Sequence, residues 1–76
     1  MNGVKPLVTI AKNLNKPVKV LLKNDFAYEG TMVECDNYMN LVIEKVIEYQ
    51  GDNKRAGYPR VLIRGNNILY IILYER

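Results

Sequence analysis

The spacing of apolar residues along the chain changes at Pro17. Before this proline, apolar positions recur at intervals of three, one and three residues, at Leu7, Ile10, Ala11 and Leu14. Such spacing is typical of one apolar face of a helix. Pro6 suits the first turn of a helix, whereas Pro17 disfavours helical geometry in Lys16. The pattern therefore predicts a short N-terminal helix over residues 5–15.

From Val18 onward, apolar and polar residues alternate as they do in half-buried strands. Five strands are predicted, over residues 18–23, 26–35, 39–49, 60–64 and 68–74. The residues that turns favour lie between them, at Asn24-Asp25, Asp36-Asn37 and Gly65-Asn66-Asn67. Gly30 interrupts the second strand and predicts a sharp bend or a bulge there. The polar stretch 50–57, which contains two glycines, predicts a mobile loop.

A short helix followed by five strands, one of them sharply bent, indicates a mostly-β protein. The expected architecture is a strongly bent, five-stranded antiparallel barrel of SH3-like or OB-like type. With 76 residues, the chain is expected to form a single domain over residues 1–76. Within the third strand, Leu41, Ile43 and Val46 are the positions expected to face the core.

The last predicted strand, residues 68–74, is apolar at nearly every position. A barrel this small cannot bury both faces of such a strand, and an exposed apolar edge is prone to aggregation. Pairing of the edge with another copy, repeated until a ring closes, would cover it. Alternation alone does not decide whether Ile71 or Ile72 faces the core.

Composition excludes several classes of site. A single cysteine, Cys35, cannot form an internal disulfide, and no CxxC motif or Cys/His cluster indicates a metal site. No stretch approaches the roughly 20 apolar residues of a membrane span. Residues 1–10 also lack the apolar run of a signal peptide. We therefore expect a cytoplasmic protein with no metal, no cofactor and no membrane association.

The net charge of +3 is distributed unevenly. Residues 1–24 carry five lysines and no acid, residues 25–52 carry seven acids and one lysine, and residues 53–76 carry five basic residues and one acid. If the two basic ends meet in space, they form an anion-binding stripe; if not, the charges are an ordinary solvated surface. The acidic middle argues against indiscriminate coating of nucleic acid and favours a localised site.

Two predicted turns carry side chains that can recognise a nucleobase. The first, Asp36–Asn40, supplies the ring of Tyr38 and the amide of Asn40, and the second, Arg64–Asn67, supplies a guanidinium. An aromatic ring and a guanidinium can stack on the two faces of a base, and an amide can both donate and accept at its edge. Without further context, Tyr38 could instead shield an end of the barrel, and Asn40 could cap its own turn.

The two turns also resemble the signature motifs of the Sm-like (Lsm) family, small RNA-binding proteins that assemble into rings. The first motif, over residues 16–49, matches in its first strand, its bend glycine and its Asp-x-x-Met-Asn core, at Val18, Val20, Leu22, Gly30, Asp36, Met39 and Asn40. The second motif, over residues 58–74, contains Ile63-Arg64-Gly65-Asn66-Asn67-Ile68. Residues 50–57 would then be the variable loop of the family.

The resemblance implies a role for each motif residue. RNA would be bound by Tyr38, Asn40, Arg64, Gly65 and Asn66, with Asp36 and Met39 supporting the pocket. The aromatic ring would stack on a base, most often uracil, the guanidinium would cover its other face, and the Asn40 amide would read its edge. Asn66 stands where the family often has an acidic residue, so Arg64 is expected to be less neutralised.

The resemblance also implies an assembly. Sm-like subunits join by pairing the fourth strand of one with the fifth strand of the next, so we expect a homo-oligomeric ring of seven copies, with six or eight as alternatives. Uridine-rich single-stranded RNA would be held around the central pore. The ring would act as an RNA chaperone, or as a scaffold that brings RNA-processing proteins to their substrates in processing and turnover. The bacterial Tyr-Lys-His signature is absent, so the chain resembles the archaeal and eukaryotic branch and suits an archaeal-type homo-ring.

Catalysis is not expected. The chain has no histidine, its carboxylates show no metal-ligand spacing, and it lacks a phosphate-binding glycine loop. The alternative to an RNA binder is a structural or protein-interaction ring that uses the same strand edges. Such a ring would not need Tyr38, Asn40 and Arg64 together.

Overall fold

The computed structural model describes residues 12–74, which form five antiparallel strands in one sheet. The strands are β1 (Lys16–Leu22), β2 (Phe26–Cys35), β3 (Leu41–Gln50), β4 (Asn53–Ile63) and β5 (Ile68–Leu73), with a 3₁₀ turn (Gly65–Asn67) before β5. The strand order β4-β3-β2-β1-β5 leaves β4 and β5 at the two edges. The predicted fold class, mostly β with a strongly bent five-stranded antiparallel sheet, is confirmed. Over residues 12–74, no helix is long and apolar enough to cross a membrane.

One face of the bent sheet encloses the apolar core. Its buried side chains come from four strands and are Val18, Val20, Met32, Leu41, Ile43, Val46 and Ile63. Val18 and Val20 alternate with an exposed Pro17 and a half-buried Lys19, as a strand with one solvated face requires. Burying a large apolar side chain stabilises the fold by about 1.5–3 kcal/mol relative to leaving it exposed. The inward positions predicted for the third strand are confirmed.

Gly30 marks a bulge between β2 and β3. The register of the two strands shifts at this point, so that Lys45 and Val46 together oppose Gly30. A Cβ atom at Gly30 would lie 2.6 Å from a carbonyl oxygen of β3, so a larger residue would force the strands apart. The extra residue in β3, with Lys45 at φ 55°, lets Ile43 and Val46 both reach the core although they are three positions apart. The bulge predicted at Gly30 is therefore confirmed.

The start of the described chain differs from its prediction. Of the helix expected over residues 5–15, residues 5–11 lie outside the described part of the chain. The rest, residues 12–15, forms a turn. Asn15, at φ 65°, donates its backbone N–H to the carbonyl of Met32 at 2.6 Å, which attaches this turn to β2. Leu14 packs against the core, so it has the inward position that the apolar spacing indicated.

The mobile loop predicted over residues 50–57 is wrong. β3 runs to Gln50, a two-residue turn follows, and β4 begins at Asn53. Gly51 adopts φ 59°, which glycine accommodates without strain, and its N–H donates to the carbonyl of Asp25 at 3.1 Å. The stretch is polar because this part of β4 is almost entirely exposed, while its backbone pairs with β3. The polar residues of this stretch therefore indicate exposure to solvent and not an irregular backbone.

Both edge strands expose large apolar side chains. On β4, Leu62 is 65% exposed, and on β5, Leu69 and Tyr70 are 60% and 51% exposed. β5 packs Ile71 against the core but leaves Ile72 37% exposed. The prediction that the last strand cannot bury both of its faces is confirmed for the single chain.

Two glutamates accept hydrogen bonds from a tyrosine of β2 and from the tyrosine that follows β5. Tyr28 on β2 donates its hydroxyl to Glu48 Oε2 on β3 at 2.6 Å, and Tyr74 donates to Glu29 Oε2 at 3.0 Å. Burial, followed by the bond to the Glu48 carboxylate, raises the pKa of Tyr28 to about 12. These two tyrosines therefore contribute to the cohesion of the sheet.

Candidate nucleic-acid interface

The turn between β2 and β3 lies directly against the turn between β4 and β5. A Cβ atom added to Gly65 would collide with the backbone carbonyl oxygen of Tyr38, so only glycine allows this approach. The two turns enclose a hollow of about 510 Å³, lined by Tyr38, Met39, Asn40, Arg64, Gly65 and Asn66. Residues that are distant in the chain thus share one surface.

Asp36 holds the first turn together through its side-chain carboxylate. Its Oδ1 accepts the backbone N–H groups of Tyr38 and Asn40, each at 2.9 Å. The backbone of Met39, at φ 65°, donates to the carbonyl of Asp36 at 3.0 Å. The chain therefore turns tightly enough to leave the ring of Tyr38 outside and to pack Met39 against the core. Asp36 and Met39 thus contribute to the structure of this turn, and their support of an RNA-binding pocket stays a prediction.

Asn40 joins the two turns. Its Nδ2 donates to Asp36 Oδ2 at 3.0 Å, and its Oδ1 accepts the backbone N–H of Gly65 at 2.8 Å. An asparagine amide has two donor hydrogens and two acceptor lone pairs, so one of each stays available to a ligand. The side chain is half-buried, and both of its internal partners fix its position before any ligand arrives.

The second turn is anchored at its far end. Within the 3₁₀ turn, the N–H of Asn67 donates to the carbonyl of Arg64, and the N–H of Lys23 at the end of β1 donates to the carbonyl of Asn67, both at 3.0 Å. Because the backbone is held on both sides, the side chains of Arg64 and Asn66 project from a fixed base. Both are exposed.

Tyr38 and Arg64 contribute the two flat side chains of the hollow. The side chain of Tyr38 is 80% exposed, and within residues 12–74 neither it nor the guanidinium of Arg64 makes a hydrogen bond or an ion pair. A flat ring and a flat cation at one hollow suit a planar ligand with partial negative charge, since each can stack on an aromatic base.

The only carboxylate within the first turn, that of the exposed Asp36, stays charged. Hydrogen bonds from the side chain and then the backbone of Asn40 lower the pKa of Asp36 below its ordinary value. Its two oxygens accept three hydrogen bonds from the turn itself, and Asp36 does not line the hollow. Beneath the turn, burial raises the pKa of the Cys35 thiol, and Cys35 packs against the core as a small apolar residue would.

All five residues predicted to bind RNA lie around the same hollow, while their individual roles toward RNA stay predictions. The hydrogen bond between Asn40 and the backbone of Gly65 was not predicted, because a backbone donor carries no signal in the side-chain sequence. The basic residues do not all gather beside the hollow. Lys54 and Arg55 lie at the start of β4, whereas Lys19 lies on β1, with β3 and β2 between them. In the region 12–74, no group of three or more His, Cys, Asp or Glu side chains could hold a metal ion.

The chain is similar to proteins from fungi and archaea. The U6 snRNA-associated Sm-like protein LSm6 of Chaetomium globosum is 36% identical over 69 residues, which cover 91% of this chain and 84% of that protein. The Sm protein of Pyrococcus abyssii, solved in complex with a uridine heptamer, is 33% identical and has a TM-score of 0.82. That match covers 91% of this chain and 97% of the Pyrococcus chain.

A heptameric archaeal Sm protein shares the same strand arrangement. Its TM-score is 0.79 at 26% identity, over 90% of this chain and 98% of that chain. A domain model described as the LSM domain matches residues 8–73, which include both turns of the hollow and all five strands. The motifs, the sheet and the domain match agree, and the chain belongs to the LSM domain family.

Proposed function

We propose that the chain forms a homo-oligomeric ring that binds uridine-rich single-stranded RNA at a central pore. The binding residues are Tyr38, Asn40, Arg64, Gly65 and Asn66. The ring acts as an RNA chaperone, or as a scaffold in RNA processing and turnover. The observation that carries the proposal is the 2.8 Å hydrogen bond between Asn40 Oδ1 and the Gly65 N–H, because it unites the ring, the guanidinium and the amide around one hollow.

Stacking supplies most of the binding free energy at each hollow. A base stacked on an aromatic side chain gains about 1–3 kcal/mol, and Tyr38 has the exposed surface that such stacking needs. Arg64 adds a cation–π term of about 0.5–2 kcal/mol, which depends on how far water is displaced. Every base has a flat face, so these two residues hold RNA without choosing its sequence.

The Asn40 amide supplies the base preference. Its remaining lone pair and N–H match the imide N–H and the adjacent carbonyl oxygen of uracil. Cytosine presents an acceptor and an amino group at the same places, so both contacts are lost. A buried polar group without its hydrogen bond costs about 1–3 kcal/mol, and uridine tracts are therefore expected to bind roughly tenfold or more tighter than cytidine tracts.

A ring gives these single-base sites their useful affinity. Sites held at fixed spacing engage one RNA strand together, and each bound nucleotide raises the effective concentration of the next. The exposed apolar residues of β4 and β5 support edge-to-edge assembly. The heptameric archaeal Sm protein and the Pyrococcus Sm protein with its uridine heptamer support the ring size and the ligand.

The wider role rests on the similarity to LSm6, a protein named for its association with U6 snRNA. A ring used only for contacts between proteins is less well supported. Such a ring gains nothing from a tyrosine that leaves 80% of its surface in water, or from an arginine without an ion pair to any residue of 12–74. Nor does it gain from an amide that already has a fixed orientation.

Native mass spectrometry with and without oligouridine tests the proposal. The expected result is one species of seven copies, with six or eight as the alternatives, that gains the mass of one oligonucleotide. A stable monomer would contradict the ring, and a ring that takes up oligocytidine as readily as oligouridine would contradict the base preference. Tyr38→Ala tests assembly and binding separately, because this variant should form the same ring and bind oligouridine more weakly.

A further inference from the structure

A second apolar cluster lies on the face of the sheet opposite the core. Ala27 is 5% exposed, yet it does not belong to the core cluster. It is paired with Leu21 of β1, whose neighbour Val20 points into the core, so Leu21 and Ala27 point to the outer face. Tyr49 is opposite Ala27 on β3, and Tyr70 is opposite Leu21 on β5. A row of apolar and aromatic side chains thus crosses four strands on the outer face.

This row borders the outer hollow, a depression of about 390 Å³. Leu21 and Ala27 line it together with Leu69, which is 60% exposed. Leu21 and Ala27 belong to β1 and β2, which are interior strands of the sheet. Pairing of copies through their edge strands extends a sheet and does not cover its faces, so a ring joined in this way leaves these two residues open to a ligand.

Two lysines supply positive charge to the outer hollow. Lys19 is directly opposite Glu29, but the oxygens of that carboxylate accept hydrogen bonds from Tyr49 at 3.4 Å and from Tyr74 at 3.0 Å. The Lys19 Nζ lies instead 5.1 Å from the centre of the Tyr49 ring, in a cation–π contact. Lys23 is exposed and lines the same hollow. Within residues 12–74 neither lysine forms an ion pair, so both ammonium groups are available to a carboxylate.

Two aspartates of neighbouring turns also line the outer hollow. Asp25 lies between β1 and β2, and Asp52 lies between β3 and β4. The N–H of Gly51 donates to the carbonyl of Asp25 at 3.1 Å, which holds the two turns together. Both aspartates are exposed, so an RNA strand would bring its phosphates beside two carboxylates. A peptide can match each sign of charge with a separate side chain, and the charges therefore favour a protein ligand.

We propose that the outer hollow docks a peptide segment of a protein partner, in which an apolar residue lies between an acidic and a basic residue. The apolar side chain packs on Leu21 and Ala27. The acidic side chain pairs with the two lysines, and the basic side chain pairs with the two aspartates. This site goes beyond the proposed function, because it gives the ring a place for a protein partner and does not depend on RNA binding.

Fluorescence anisotropy with a labelled synthetic peptide tests the site, after circular dichroism and native mass spectrometry have confirmed the fold and assembly of each variant. The peptide contains an aspartate, two leucines and a lysine in succession, and its ends are blocked. Lys19→Gln and Asp52→Asn should each weaken its binding by about threefold, because each removes one partly exposed ion pair. Asp52 lies in an exposed turn, so this variant keeps the test valid if Lys19→Gln does not fold. Lys16→Gln is the matched control, since Lys16 is exposed on β1 but does not line the outer hollow.

Several results would overturn the proposal. The first is no binding of the peptide to the wild type, and the second is unchanged binding in every folded variant of Lys19 and Asp52. Equal binding of peptides with serine for leucine, or with asparagine for aspartate, would do the same. Displacement of the peptide by oligouridine would assign the site to RNA, and a double ring that Lys19→Gln converts to a single ring would assign it to a second copy. Wild-type protein that binds the peptide but not oligouridine would leave this proposal standing and overturn the proposed function.

Discussion

At the residue scale, Tyr38 is the side chain whose loss should affect every RNA in the same way. Its ring provides a stacking surface without hydrogen-bonding preference, so Tyr38→Ala should weaken binding of uridine, cytidine and adenosine oligomers by similar factors. The expected loss is about tenfold, from the 1–3 kcal/mol of one stacked base per site. Fluorescence anisotropy with the three oligomers measures it.

Asn37→Ala is the control for this prediction. Asn37 is exposed and adjoins Tyr38 in the same turn, but it does not line the hollow. The Asn37→Ala variant should therefore bind all three oligomers as the wild type does. A loss confined to uridine in Tyr38→Ala would show that the ring selects a base, which stacking alone does not explain.

We expect Asn66 to determine how strongly salt affects RNA binding. It lines the hollow beside Arg64, and it is neutral where an aspartate would partly neutralise the guanidinium. Asn66→Asp should therefore make the dependence of log Kd on log salt shallower, because each phosphate contact on a single strand contributes a slope of about 0.7. Titrations at several salt concentrations measure the slope.

Asn67→Asp provides the same change of charge one residue further along the 3₁₀ turn, where the side chain does not line the hollow. We expect a smaller change of slope in this control. Equal slopes in the wild type and in Asn66→Asp would contradict the idea that Arg64 acts as an unneutralised cation at the site.

At the scale of elements, Gly65 is the point where two turns touch. Gly65→Ala should separate the turns, because a Cβ atom collides with the carbonyl of Tyr38. The bond from Gly65 to Asn40 would break with it. RNA binding should be lost by a factor of about ten or more, whereas the far-ultraviolet circular dichroism of the sheet should persist. The fully buried core residues lie on β1 to β4 and not in the two turns, so we expect the sheet not to depend on this contact.

Gly57→Ala is a demanding control for that prediction. A Cβ atom at Gly57 would meet its nearest neighbour at 3.6 Å, an ordinary van der Waals distance. This variant should fold and bind RNA normally. If both alanine variants lost RNA equally, the cause would be a general sensitivity of the chain to added side chains and not the contact between the turns.

The hydrogen bond between Tyr28 on β2 and Glu48 on β3 makes the stability of the fold depend on pH in the alkaline range. Folding raises the pKa of Tyr28 from 10.0 to about 12. The contribution of the protonated Tyr28 hydroxyl to stability is therefore complete below pH 10.0. That contribution is lost as the pH rises through the folded pKa. Tyr28→Phe should therefore lose less unfolding free energy than the wild type between pH 10 and 12, as measured by urea unfolding at each pH. Tyr70→Phe, at an exposed position, should behave as the wild type does.

The sequence predicted elements best where side chains alone determine the backbone. Gly30 signalled the bulge because no other residue allows the close approach of β3. Residues 50–57 were predicted as a loop because polar side chains are common both in loops and on exposed edge strands. What distinguishes the two cases is backbone pairing with β3, and side chains do not encode that pairing locally. The link from Asn40 to Gly65 was missed for the same reason.

At the scale of the whole molecule, two neighbouring residues of β5 are expected to differ in their effects on folding and on assembly. Ile71 packs against the core, whereas Ile72 is 37% exposed. Ile71→Lys should unfold the subunit, because an unpaired charge would enter the core. Ile72→Lys should keep the fold of the subunit and weaken the ring. Circular dichroism and native mass spectrometry together distinguish the two outcomes. If Ile72→Lys formed a ring as stable as that of the wild type, this face would not be covered by a neighbouring copy.

The two edge strands differ in length, and a ring joined through them would repeat that difference in every copy. β4 has 11 residues and β5 has 6. Pairing between neighbours can therefore cover at most six positions of β4, and the difference of 11 and 6 leaves at least five beyond the seam. In a symmetric ring, every copy would have one such overhanging segment. A difference in strand length within one chain would thus become a row of projections along the rim of the ring, with one unpaired strand end for each subunit.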